Sequence, residues 1–299
     1  MRKLRSAGAL SVAVVVLGAV FAPAAGAVVP PGIVFSSTRS GGWDIYRLSG
    51  SGGPHKMVGG RAYDRNPVWG PDAHRVAFDS NRAGSYDIYI RNRETHHTRR
   101  VTFTRAYDAD PSWSPDGRKL VFVTTRWGNL ELAVVNLSTH HVRRLTRFDG
   151  DDMNPSWSPA GGSIAFTSTR HSTTRSSDDI YTVKPSGRGV RRLVHGRYAD
   201  AYPAWSPNGR KVAYESYRRG GYQVRMVRAD GGGDHRFART GSFAGYPAWS
   251  PDGRAIVYAA RRHGATKLWR KALGGGGSAH RVTFGAGIDI SPSWARQPV

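Results

Sequence analysis

The 299-residue sequence predicts an all-β fold: a six-bladed β-propeller of four-stranded antiparallel blades, closed by a C-terminal strand joining the N-terminal blade. Three observations carry this. A Pro-x-Trp core recurs at Pro67/Trp69, Pro111/Trp113, Pro155/Trp157, Pro203/Trp205, Pro247/Trp249 and Pro292/Trp294, with tryptophans 44, 44, 48, 44 and 45 residues apart. A fixed period in this range marks one four-stranded sheet per repeat. A second series of apolar segments also recurs six times: Ile33–Phe35, Val76–Phe78, Leu120–Phe122, Ile164–Phe166, Val212–Tyr214 and Ile256–Tyr258. The two series are out of phase. Ile33 has no Pro-x-Trp before it, and Pro292 has no apolar segment after it. Closure solves this: Ser291 to Ala295 supplies the inner strand of the first blade and removes both open edges.

The chain begins with a positive n-region (Arg2, Lys3, Arg5), an apolar stretch from Ala9 to Phe21 and a small-x-small site at Ala25-Gly26-Ala27. That pattern reads as a secretory signal peptide over 1–27, cut after Ala27, or as an anchor if the cut fails. Residues 28–299 then form the propeller. In the unit 111–148, Pro111 to Ser114 starts the inner strand. Ser114-Pro115-Asp116-Gly117 makes a tight turn, with Pro setting φ and Gly closing it. Lys119 to Thr125 is the second strand, apolar on both faces as befits a strand between neighbouring blades. Leu130 to Asn136 is the third, and the Arg-rich Val142 to Thr146 the outermost. His171 to Ser177 is a polar insertion, and Gly274–Gly277 a flexible turn.

Composition excludes several classes. Without cysteine there are no disulfides, thiolate metal sites or cysteine nucleophile. The net charge is +23, and removing the leader leaves +20. Such a balance suits an anionic partner. Yet the basic residues are dispersed, with no run of five, so nucleic acid is not expected. No Gly-x-Ser-x-Gly, His-Glu-x-x-His or Gly-x-x-x-x-Gly-Lys motif occurs, so no catalytic residue is assigned.

Acids are placed by repeat position. Asp64, Asp108, Asp110, Asp149, Asp151, Asp152, Asp200 and Asp289 fall in the loop before the inner strand, at one mouth of the channel. An arginine follows each second strand on the same face: Arg39, Arg82, Arg126, Arg170, Arg218 and Arg262. Either these pair and fasten the loops, or the carboxylates line a ligand site at the mouth. Broken symmetry favours a site. Asp149–Asp152 is the densest acid cluster, and Tyr202 and Tyr246 replace the Asn or Asp of Asn66, Asp110 and Asn154. An acidic side facing an aromatic side suits a peptide, a sugar or a cationic group. No cofactor is expected. Ca²⁺ is the one ion that Asp108, Asp110, Asp149, Asp151 and Asp152 would suit, although they lack a calcium-loop spacing. His96-His97 and His140-His141 occupy equivalent turns on the opposite face and read as surface residues rather than zinc ligands.

The repeats resemble the PD40, or WD40-like, repeats of the TolB family of six-bladed propellers. The likeness rests on Pro-Ser-Trp-Ser-Pro-Asp-Gly-Arg at 111–118, the arginine after the second strand, and Asp-Ile-Tyr at 44–46, 87–89 and 179–181, and covers about residues 32–296. TolB proteins carry an α/β domain before the propeller and act in the cell envelope, where the propeller binds a peptidoglycan-associated lipoprotein. Here about five residues separate the expected cut from Ile33. The resemblance therefore implies a secreted or periplasmic, propeller-only binding module.

Three functions are expected from this reading. The first is a monomer that binds a protein or peptide partner at the acidic–aromatic mouth. The second is a carbohydrate-active hydrolase or lyase using mouth carboxylates. The third is retention on an anionic wall polymer through the basic surface.

Overall fold

A computed structural model describes residues 32–295, apart from 51, 171–177, 219, 240 and 275–276. The leader 1–27, the insertion His171–Ser177 and the middle of Gly274–Gly277 lie outside the described residues. Among those described, 24 strands form six four-stranded antiparallel sheets. The ring closes as expected. The last strand, Asp289–Trp294, pairs with Ile33–Ser37, placing Trp294 opposite Ile33 and Asp289 opposite Ser37.

The inner strands begin earlier than the proline pattern suggests. The third blade's runs Asp108–Trp113, and its equivalents start at Asp64, Asp152, Ala199, Phe243 and Asp289. Aspartates read from sequence as loop residues therefore lie inside the ladder. A bulge explains the difference. Every inner strand shifts register around its proline, as between Ala109 and Ser112. Proline has no N–H to donate, so it fits where ladder pairing is already interrupted. The residue before it takes a left-handed conformation in every blade: Asn66, Asp110, Asn154, Tyr202, Tyr246 and Ser291 have φ between 48° and 52°.

Core residues are shared between blades rather than enclosed within one. Ile88 and Ile90 of the second blade pack with Trp113, Leu120 and Phe122 of the third. Val257 and Leu268 of the last blade pack with Phe35 and Tyr46 of the first. Polar bonds stitch the same seams. The Trp113 indole donates to the Val68 carbonyl, and the Trp157 backbone N–H to Ser112 Oγ. The Ser-Pro-Asp-Gly turns form as the sequence expects, with Asp116 accepting from Ser114 Oγ and from the Arg118 N–H.

Candidate functional site at the channel axis

The left-handed residues line a central channel of about 270 Å³, which extends from them to Pro71, Pro115, Pro159, Pro207 and Pro251 in the turns. They form a polar ring. Asn66 and Asn154 donate their amides to the two oxygens of Asp110, at 2.6 and 3.1 Å. Ser291 Oγ donates to Asn66 Oδ1 at 3.0 Å. Across from this amide–acid arc, Tyr202 and Tyr246 pack with ring centroids 4.2 Å apart, their hydroxyls 3.4 Å apart. Burial raises both phenol pKa values.

Asn and Asp tolerate a left-handed backbone because their short side chains bond locally; a bulky aromatic residue there is a genuine outlier. The backbone needs no tyrosine at 202 or 246, and the strain is of order 1–3 kcal/mol per residue. An outlier kept at such a cost argues for a role of the side chain beyond folding.

Two acids behind the ring escape the sequence reading. The residue after each second-strand aromatic is Ser36, Asp79, Val123, Thr167, Glu215 or Ala259. At the first two positions it accepts the bulge N–H of the next blade: Asn66 N–H to Ser36 Oγ at 3.0 Å and Asp110 N–H to Asp79 Oδ1 at 3.3 Å. Glu215 meets the Tyr246 N–H in the same way. Asp79 also accepts from the Asn66 amide and from Arg65. Burial and the neighbouring Asp110 carboxylate hold Asp79 protonated above the usual range. Burial pushes Glu215 up to about 8, and its Oε2 has no hydrogen-bond partner among the described residues. The departures from the repeat at 79 and 215 are the signal that could have revealed them.

Of the ten residues predicted for the site, Asp110, Tyr202 and Tyr246 line the channel; the other seven do not. Asp64, Asp108, Asp152 and Asp289 are buried within their blades and bind the repeat arginines: Arg82–Asp64 2.7 Å, Arg126–Asp108 2.6 Å, Arg170–Asp152 2.5 Å and Arg39–Asp289 2.8 Å. A second-strand hydroxyl completes three of these: Thr124 to Asp108, Ser168 to Asp152 and Ser37 to Asp289. The same guanidiniums lie over the second-strand aromatics, as Arg126 does 5.3 Å from the Phe122 centroid. This is the fastening arrangement rather than a carboxylate ring at the axis. The bulge breaks side-chain alternation, turning Asp110 to the channel while Asp108 stays within the sheet. Asp200, in the equivalent position, is buried, and neither of its carboxylate oxygens has a hydrogen-bond partner among the described residues.

The Asp149–Asp152 cluster disperses. Asp149 is exposed, Asp151 accepts from the Leu130 N–H, and Asp152 is the arginine partner. A calcium site built from Asp108, Asp110, Asp149, Asp151 and Asp152 is thus not assembled. Among the described residues no three His, Asp or Glu side chains converge to hold a metal. The fourth-strand arginines find partners too: Arg100, Arg144 and Arg192 bind Asp87, Glu131 and Asp179 at the start of the third strands.

Comparison with known proteins agrees with this architecture. The sequence matches the PD40 family, described as the TolB beta propeller domain, over residues 3–124, 106–196 and 171–297. The structure is similar to TolB from Acinetobacter baumannii, with TM-score 0.77 and 25% identity over 89% of this chain and 67% of that one. It is also similar to a putative TolB from Agrobacterium tumefaciens, with TM-score 0.58 and 27% identity over 64% of this chain and 73% of that one. An oligogalacturonate lyase from Vibrio parahaemolyticus shares the fold, with TM-score 0.57 and 16% identity over 84% and 72% of the two chains. No curated protein matches.

Proposed function

Because the chain belongs to the TolB β-propeller family, we propose that it is a binding module of the cell envelope, exported by its leader and monomeric, whose channel receives a segment of a protein partner. The observation that carries this is the pair of left-handed tyrosines, Tyr202 and Tyr246, facing Asp110 across the axis. The left-handed backbone belongs to every blade, but the scaffold needs no aromatic side chain on it, as Asn66, Asp110, Asn154 and Ser291 hold the same conformation. Apolar walls of Trp and Pro lead to the polar ring that holds Asp110, with the Asp79 and Glu215 carboxyls behind it. That suits a partner side chain with an aliphatic stem and a cationic tip. A cation there would also return charge to the acids that burial keeps protonated.

The test is capture of partners from the envelope fraction by the full chain and by a Tyr202→Ser/Tyr246→Ser variant. Loss of capture with a preserved melting transition supports the reading; equal capture by both overturns it. A second reading, retention on anionic wall polymer, rests on the strongly basic balance, +23 for the full sequence and +20 without the leader. It requires retention to fall steeply as salt shortens the Debye length.

A further inference from the structure

A second site lies away from the channel, in a cleft between the first and second blades. Trp43, Tyr63, Tyr86 and Arg65 line it, with the backbone of Gly41 and Gly42, around about 350 Å³. That volume is typical of small-ligand sites. The guanidinium of Arg65 stacks 4.1 Å from the Tyr86 centroid. Its Nε donates to Asp79 and its Nη2 to the Tyr107 hydroxyl, each at 3.3 Å. Among the described residues its Nη1 makes no hydrogen bond, and the side chain keeps 30% exposure. Packing thus fixes a cation while part of its donor fork stays unspent.

The repeat supplies its own control. At the position of Arg65 the other blades carry Ala109, Met153, Ala201, Gly245 and Ile290. At the positions of Trp43 and Tyr63, two other clefts also carry paired rings, Tyr86 with Tyr107 and Tyr222 with Phe243, but neither has an arginine at the position of Arg65; the clefts of the third, fourth and last blades carry Leu130 with Asp151, Asp178 with Ala199, and Thr266 with Ile288. Neither the cation nor the paired rings are needed to build a blade. Tyr63 is nonetheless 48% exposed, and its hydroxyl and that of Tyr86 make no hydrogen bond among the described residues.

We propose that this cleft binds an acidic saccharide, a chain containing uronate residues, with the carboxylate on Arg65 and pyranose faces on the aromatic walls. An arginine fork matches a carboxylate in plane. Flat rings with free hydroxyls match a ligand that has apolar faces and a polar edge. A glutamate or aspartate side chain would meet the arginine but leave most of the ring surface uncovered. The proposal is independent of the channel reading.

The test uses hyaluronan tetrasaccharide as the acidic probe and cellotetraose as the neutral one, with calorimetric titration of the full chain near physiological salt. We expect saturable one-to-one binding of the acidic probe, and binding of the neutral one weaker by roughly tenfold or more. Arg65→Met and Tyr63→Ala should each weaken the acidic probe by roughly tenfold. Arg188→Met removes one charge from an exposed turn and should leave affinity within about twofold. Tyr63→Ala touches an exposed ring only, so it reads the site even if Arg65→Met disturbs folding. Absence of saturable binding overturns the proposal, as does equal weakening by Arg188→Met. So does a triglutamate peptide that binds as tightly with the same sensitivity to both cleft variants.

Discussion

Arg218 Nη2 lies 3.2 Å from Asp234 and leaves Asp200, the acid its repeat position would serve, without an ion pair among the described residues. Asp234 also collects Arg225 and the Tyr214 hydroxyl. Burial lifts Asp200 to about 7. The folded acid therefore holds a proton between about pH 4 and pH 7 that the unfolded acid has lost. Stability falls as pH rises through that window, with a ceiling of about 4 kcal/mol. Asp200→Asn should remove this slope and raise the melting temperature more at pH 8 than at pH 4. Equal effects at both pH values would contradict the assignment.

Asp152 and Asp149, three residues apart, should respond in opposite ways. Asp152→Ala strands Arg170 and the Ser168 hydroxyl and should cost about 3 kcal/mol in denaturant unfolding. Asp149→Ala removes an exposed acid and should change stability by less than about 0.5 kcal/mol. Similar values for the two would undo the separation of fastening acids from surface acids.

Closure by Asp289–Trp294 supplies one full ladder, the ion pair to Arg39 and the Ser293 hydroxyl that receives the Trp69 N–H. A chain ending at 286 should lose its cooperative thermal transition by circular dichroism, because the first blade would lack its inner strand and Ile33–Ser37 would be left as an open edge. An unchanged transition would mean that the ring does not depend on this strand.

The architecture was legible because it is repeated. Six tryptophans and six apolar segments out of phase by one already required Trp294 to lie beside the first blade. The site was less so. Periodicity located the pre-proline residues, and the exchange of Asn for Tyr at 202 and 246 pointed to the channel. What sequence spacing could not reveal was the bulge. Without it, Asp64, Asp108, Asp152, Asp200 and Asp289 read as loop acids at a mouth, whereas the ladder encloses them. Asp79 and Glu215 were hidden for another reason. They sit in otherwise apolar strands, at a position whose task, accepting the next blade's bulge N–H, exists only in three dimensions.

The central claim is that partners enter at the axis. Photo-crosslinking from p-benzoylphenylalanine placed at Tyr246, beside the same probe at the exposed turn residue His141, tests it most directly. An adduct with an envelope protein from position 246 and none from 141 is the expected result. Adducts from 141 with none from 246 would contradict the account and move the interface to the rim.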